Sequence, residues 1–101
     1  MADTPEKKVK KEVEKILKEF GVYYFFPTTG GYGRSGIHDV IGCYKGRFIA
    51  IECKAGNNVL TALQRREDGR VQDAGGVSVV ITEVTLNLLR GYLKLIAEEQ
   101  K

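Results

Sequence analysis

The sequence contains few of the residues that zinc sites, disulfide frameworks and membrane spans require. One histidine and two cysteines occur among its 101 residues, whereas a structural zinc site is built from several such ligands. Cys43 and Cys53 lie in apolar, strand-like segments, as small buried residues of a protein in a reducing compartment do. No apolar run is long enough to span a bilayer, and no secretory signal pattern is present. We therefore expect a cytoplasmic protein.

The composition is that of one folded domain, which we expect to span residues 1–101. Hydrophobic residues make up 43% and charged residues 29% of the chain, values typical of globular proteins. The net charge of +3 permits a polyanionic partner without requiring one. Positive charge is concentrated in one short stretch that contains Lys7, Lys8, Lys10, Lys11, Lys15 and Lys18. That stretch could face phosphates, or it could be a solvated helix face neutralised by neighbouring glutamates.

Hydrophobic periodicity predicts seven elements in the order α-β-β-β-α-β-α. The first helix has clear boundary signals, because Thr4 can cap it, Pro5 suits its first position and Gly21 follows its last turn. The further elements are predicted as strands over 22–26, 37–44 and 47–54, a polar helix over 61–74, a strand over 77–82 and a final amphipathic helix that contains Leu86, Leu89, Leu93 and Ile96. This order predicts a mixed α/β sheet flanked by helices.

The most informative pattern joins the second and third strands. If Lys45–Gly46 is a two-residue hairpin turn, counting outward from it places Asp39 directly opposite Glu52. Side chains alternate along a strand, so Lys54 shares the face of Glu52. Two facing acids repel each other, and a divalent cation that prefers oxygen ligands, such as Mg²⁺ or Mn²⁺, would remove that repulsion. A nearby lysine could hold or activate a water there, but the three residues could also form a surface ion-pair cluster.

The runs GIHDVIG, FIAIECKAG and LTALQ resemble motifs of the PD-(D/E)xK nuclease superfamily, and specifically its VRR-NUC branch in the small stand-alone form found in phages. The resemblance covers nearly the whole chain. It implies a restriction-endonuclease-like fold, a magnesium-dependent DNA endonuclease that leaves 5′-phosphates, and a cytoplasm that is bacterial or phage-infected. It also implies that Asp39 and Glu52 bind the metal together with the backbone carbonyl of Cys53. Lys54 would orient and activate the attacking water.

Two further residues match the family pattern, and each has a structural alternative. Gln64 corresponds to a glutamine that such nucleases place beside the active site, but Thr61 and Gln64 also fit a capping box. Glu6 lies near the middle of the apolar stripe of the first helix, where the family and the related Holliday junction resolvases carry an acid. The resemblance implies a catalytic or metal-linked role for Glu6, although an acid there would also favour the positive end of the helix dipole.

The chain departs from the family pattern at three positions. His38 replaces the proline that usually precedes the aspartate, and alternation along the strand points its side chain away from Asp39. We interpret His38 as a packing or DNA-adjacent residue rather than a general base. Asp68 and Gly69 fall in the polar helix where the family is more apolar, and both residues disfavour a helix there.

The glycine-rich loop contains a misleading motif. Residues 31–36 have the spacing of the dinucleotide-binding glycine motif, which requires a preceding strand and a following helix. A strand follows instead, so we reject that interpretation. The loop could be an ordinary connection, or it could contact the DNA backbone. The candidate DNA-binding residues of the chain are Tyr32, Arg34, Lys7, Lys10 and Lys11.

These expectations combine into a metal-dependent DNA endonuclease that acts on branched or Holliday-junction DNA. One subunit offers one site, so cutting two strands together requires a homodimer. Leu88 and Leu95 lie off the main apolar face of the final helix and could pack on a second subunit. Two alternatives stay open, a non-catalytic DNA-binding subunit of the same fold and a nuclease that acts on RNA.

Overall fold

The computed structural model describes residues 3–28 and 35–99. Its elements follow the predicted order, and four strands form one sheet in the order β1-β2-β3-β4. The first three strands are antiparallel, and β4 runs parallel to β3. The elements are α1 Pro5–Phe20, β1 Tyr23–Phe25, β2 Val40–Tyr44, β3 Arg47–Cys53, α2 Ala62–Asp73, β4 Val77–Ile81 and α3 Leu86–Glu99. The predicted mixed sheet flanked by helices is therefore confirmed.

Helix α1 begins and ends where its boundary signals predict. The Thr4 side chain accepts a hydrogen bond from the amide of Lys7 at 3.2 Å, and Pro5 occupies the first turn. Gly21 ends the helix in the left-handed conformation, with φ of 74°, which costs glycine little because it has no Cβ. The apolar stripe is buried along its length, as Val9, Val13, Ile16 and Leu17.

The hydrophobic core lies between one face of the sheet and the helices α1 and α3. Its strand residues alternate with those of the opposite face, as a pleated sheet requires. Helix α2 packs against β4 on that opposite face. The core combines Val9, Val13, Ile16 and Leu17 of α1, Val22, Val40, Ile49, Ile51, Cys53, Val79 and Ile81 in and beside the sheet, and Leu89, Leu93 and Ile96 of α3.

The hairpin between β2 and β3 has the predicted two-residue turn. Lys45 and Gly46 both have positive φ, 52° and 81°, as a type I′ turn requires. Tyr44 pairs with Arg47, and the register continues to Val40 opposite Ile51. Continued by one position beyond the observed pairs, this register would place Asp39 opposite Glu52.

Strand β2 is shorter than predicted, because it begins at Val40 rather than at residue 37. In the observed register the amide of Cys53 would next bond to the carbonyl of His38. The carboxylate of Asp39 accepts that hydrogen bond instead, at 2.9 Å. A side chain therefore replaces the backbone acceptor. The pairing of β2 with β3 accordingly begins at Val40, the residue after Asp39.

Helix α2 agrees with the predicted range and is continuous through Asp68 and Gly69. In the part of the chain that the structure describes, no helix is long and apolar enough to cross a membrane.

Candidate active site

The three residues of the predicted acid–acid–lysine pattern meet where β3 emerges from the sheet. Glu52 is only 4% exposed and Lys54 9% exposed. The ammonium nitrogen of Lys54 lies 4.0 Å from Oε2 of Glu52. Asp39 is oriented by its hydrogen bond from the amide of Cys53. Glu52 and Lys54 are thus buried, and Asp39 is half-buried beside them, so the three residues are not an exposed ion-pair cluster.

Burial and the neighbouring Asp39 strongly affect the protonation of Glu52. Burial raises the pKa of Glu52 from 4.5 to about 8, reinforced by the negative charge of Asp39 and a hydrogen bond with it. The positive charge of Lys54 opposes that rise in pKa, and the negative charge of Glu6 adds to it. Without a cation, Glu52 therefore holds a proton at neutral pH, because two buried carboxylates this close cannot both ionise cheaply.

The donor atoms at this position fit Mg²⁺ or Mn²⁺. Oε1 of Glu52 is buried and has no hydrogen-bond partner among the described residues, although buried polar atoms are normally paired. Hard divalent cations prefer carboxylate and carbonyl oxygens. Burial raises the pKa of the Cys53 thiol to about 12, so its backbone carbonyl is the group of that residue that could bind a cation. No cluster of three histidine, cysteine, aspartate or glutamate side chains that could hold a metal occurs within residues 3–28 and 35–99.

Gln64 forms the capping box and also lies beside Glu52, so both arrangements considered from the sequence occur together. Its Oε1 accepts a hydrogen bond from the amide of Thr61 at 2.9 Å, while its own amide donates to the Thr61 side chain at 3.2 Å. The capping box is therefore complete. The Nε2 group remains available and donates to Oε2 of Glu52 at 3.1 Å. The capping bond fixes which end of the side-chain amide faces the acid.

Helix α1 brings two charged residues to the same place. Lys10 lies with its ammonium nitrogen 3.4 Å from Oδ1 of Asp39. Glu6 lines a groove of about 770 Å³ beside Ala55, and its charge reaches Glu52. The position of Lys10 against Asp39 was not predicted. The sequence did contain a signal for its direction, because Lys10 follows Glu6 by four residues and therefore shares the helix face on which Glu6 was expected to point inward.

Two of the other candidate DNA-binding residues, Lys7 and Lys11, do not converge on the acids. Lys7 and Lys11 lie on the outer side of α1 and form ion pairs with Asp3, at 4.0 and 2.5 Å. Tyr32 and Arg34 lie outside the described residues. Their proposed contacts with DNA stay predictions.

His38 is a packing residue in this structure, as one of its two interpretations predicts. It is 5% exposed, and its Nε2 lies 3.0 Å from Oδ1 of Asp68 in α2. The alternation argument does not apply to it, because β2 begins only at Val40. Asp68, which lies in α2 where the family pattern is more apolar, is thus the partner of the histidine at the position of the family's proline.

The fold and the site define a nuclease-type domain of the restriction-endonuclease-like class. Within that class, the chain is similar to a solved structure described as a VRR_NUC domain, with a TM-score of 0.74 and 25% sequence identity. The similarity covers 88% of this chain and 97% of the other. No family model and no curated protein matches the sequence. The VRR-NUC resemblance that the motifs indicated is thereby confirmed at the level of the fold.

Proposed function

We propose that this chain is a divalent-metal-dependent endonuclease that hydrolyses DNA phosphodiester bonds. The observation that carries the proposal is the buried Glu52 beside the half-buried Asp39, with Oε1 of Glu52 unpaired and its Oε2 4.0 Å from the ammonium nitrogen of Lys54. Two buried acids destabilise a fold unless a cation offsets their charge. A VRR_NUC-like fold around them supports nuclease chemistry in particular.

In this proposal Asp39, Glu52 and the carbonyl of Cys53 would hold Mg²⁺, which Mn²⁺ could replace. The bound cation would supply Lewis-acid polarisation of the scissile phosphate and a more acidic attacking water.

Four side chains of this chain would then have separate tasks. Lys54 would orient the attacking water by hydrogen bonding and stabilise its developing negative charge. Gln64 keeps Oε2 of Glu52 in place through its Nε2 donor. Lys10 offsets the charge of Asp39 and is near enough to the acids to attract a phosphate oxygen. Glu6 adds negative charge that strengthens cation binding.

Cleavage of labelled DNA tests the proposal directly. We expect the protein to cut DNA with Mg²⁺ and not with EDTA, and Lys54→Ala to lower the rate on the order of 100-fold, since that is the usual contribution of a group assisting the nucleophile. Lys18→Ala, which changes an exposed lysine of α1, is the matched control and should retain full activity. Equal cleavage by the Lys54→Ala and Lys18→Ala proteins would contradict the mechanism.

Metal binding separates an enzyme from a DNA-binding subunit of the same fold. We expect Mg²⁺ binding by calorimetry in the wild-type protein and its loss in Glu52→Ala. Absence of Mg²⁺ binding in the wild type would favour the non-catalytic alternative. An RNA substrate in the same cleavage series would show whether the enzyme requires DNA.

We further propose that the substrate is branched or Holliday-junction DNA and that the enzyme is a homodimer. One chain has one acid pair, so paired incisions need two subunits. Exposed apolar side chains on two surfaces could form a subunit contact, Tyr23 at 70% and Phe48 at 45% exposure on the sheet, and Leu88 at 55% and Leu95 at 59% on α3. Four-way junction, flap, duplex and single-stranded DNA compared at equal concentration would establish the preference. Equal rates on all four would contradict it.

A further inference from the structure

Helix α2 carries Gln64 but lacks the apolar stripe that holds the other two helices. Helix α1 buries four apolar side chains and α3 buries three, whereas the buried residue of α2 is Glu67. Even Leu63, beside Gln64, is 44% exposed. Hydrophobic burial normally fixes a helix on a sheet. Polar contacts must therefore contribute more than usual to the position of α2.

Asp68 is the centre of those polar contacts. Its Oδ1 accepts a hydrogen bond from His38 at 3.0 Å, and its Oδ2 accepts one from Gln72 at 3.3 Å. Its backbone carbonyl accepts a third, from the hydroxyl of Ser78 in β4, also at 3.3 Å. One residue thus connects α2 to β4 and to the segment that precedes β2.

The bond between His38 and Asp68 runs beside the active site. His38 directly precedes Asp39, and Asp68 follows Gln64 by one helical turn on the same side of α2. Gln64 in turn donates to Glu52. The His38–Asp68 and Gln64–Glu52 hydrogen bonds therefore join α2 to both chain segments that carry the acids. A shift of α2 that breaks the first bond would also move the donor of the second.

We propose that His38 and Asp68 form a positioning pair, which holds α2 so that Gln64 keeps its hydrogen bond to Glu52. The pair acts through Gln64 and touches neither substrate nor metal. The expected effect of the pair on catalysis rests on the proposed function, but its expected effect on the position of Gln64 does not. Two of the three departures from the family pattern, His38 and Asp68, are thus bonded to each other.

Catalysis tests the pair through its dependence on Gln64. We expect His38→Ala and Asp68→Ala each to lower kcat about tenfold with little change in KM, since small displacements of positioned groups carry costs of this order or larger. In a Gln64→Ala protein, adding His38→Ala should lower kcat no further, because both changes remove the same bond. Asp68→Asn keeps an acceptor for His38 and should restore most of the activity. Asp73→Ala, at the exposed end of α2, is the control and should match the wild type.

The side-chain amide signal of Gln64 in a ¹⁵N spectrum provides a second readout that needs no cleavage. We expect Asp68→Ala to shift this signal and Asp73→Ala to leave it in place. If the wild-type protein cuts nothing, the proposed function fails while this measurement still decides on the pair. An unmoved Gln64 signal in Asp68→Ala would overturn the proposal. So would a double variant of Gln64→Ala and His38→Ala whose loss of kcat equals the product of the two single losses. If His38→Ala does not fold, Asp68→Ala and Asp68→Asn carry the same comparison.

Discussion

Glu52 is a buried acid at the centre of the candidate site. Its side chain is almost completely buried, and Asp39, Lys54 and Gln64 surround it. Burial and the charge of Asp39 raise its pKa from 4.5 to about 8. Because the unfolded chain ionises Glu52 near pH 4.5 and the folded chain only near pH 8, the folded state binds the extra proton between these values.

This difference in pKa predicts how the stability of the metal-free protein depends on pH. The contribution of Glu52 is fully present below about pH 4.5 and is lost as the pH rises through about 8. Glu52→Gln, which resembles the protonated acid, should remove this loss. In EDTA we therefore expect the variant to match the wild type near pH 5 and to exceed it in melting temperature at pH 9.

Added Mg²⁺ provides the control for this prediction. Because a cation binds the ionised carboxylate, it should raise the melting temperature of the wild type at pH 9 and not that of Glu52→Gln. Parallel melting curves for the two proteins at all pH values would show that Glu52 is not the group responsible.

At the scale of elements, α2 is held by close backbone contact as well as by hydrogen bonds. Gly36 precedes β2 in the left-handed conformation, with φ of 84°, and lies against the start of α2. A Cβ atom added there would lie 2.5 Å from the carbonyl oxygen of Leu63. Since Leu63 precedes Gln64, this contact sets how near the helix can approach the acids.

Gly36→Ala therefore tests the docking of α2. The change adds both backbone strain and a clash with backbone atoms, so we expect a loss of about 3 kcal/mol in the free energy of unfolding. Gly75→Ala is the matched control, because Gly75 has φ of 93° but open space around its Cβ position. It should lose only about 1 kcal/mol. Urea denaturation measures both, and equal losses would mean that the contact with Leu63 adds nothing.

At the scale of the whole molecule, the described residues leave two apolar surfaces exposed. One is on α3, with Leu88 and Leu95. The other is on the sheet, where Tyr23 pairs with Cys43 and Cys43 with Phe48. Tyr23 is 70% exposed, Phe48 45% exposed, and Cys43 between them is also exposed. The expectation that both cysteines are buried is therefore wrong for Cys43, whose side chain alternates onto the uncovered face of the sheet, and confirmed for Cys53. The uncovered face of an antiparallel sheet is usually polar, so this aromatic surface favours contact with another chain.

We expect the proposed homodimer to use the sheet surface. Tyr23→Glu would then place a charge in the contact and give a monomer by light scattering at micromolar concentration, while Leu95→Glu stays dimeric. Maleimide should label Cys43 faster in the Tyr23→Glu protein, whereas buried Cys53 is unreactive in both. The reverse pattern, with a monomeric Leu95→Glu protein, would assign the contact to α3, as the leucine pattern alone suggested.

Much of the fold could be predicted from the sequence because its signals are local. The capping residues of α1, the type I′ turn at Lys45–Gly46 and the capping box of α2 depend on residues within a few positions of each other. The turn also determines the register, so the facing positions of Asp39 and Glu52 followed from counting alone.

Contacts between distant elements depended on the tertiary structure. The helical spacing from Glu6 indicates the direction in which Lys10 faces, but no local pattern identifies Asp39 as its partner or shows that His38 bonds to Asp68, since both pairs are separated by long stretches of chain. The late start of β2 at Val40 also depends on the tertiary structure, because the carboxylate of Asp39 accepts the hydrogen bond from the amide of Cys53 that a backbone carbonyl would otherwise have accepted. The identities of the acids and the lysine were thus readable in the sequence. Their burial, and with it the raised pKa of Glu52, exists only because α1, α2 and the sheet together exclude water from that place.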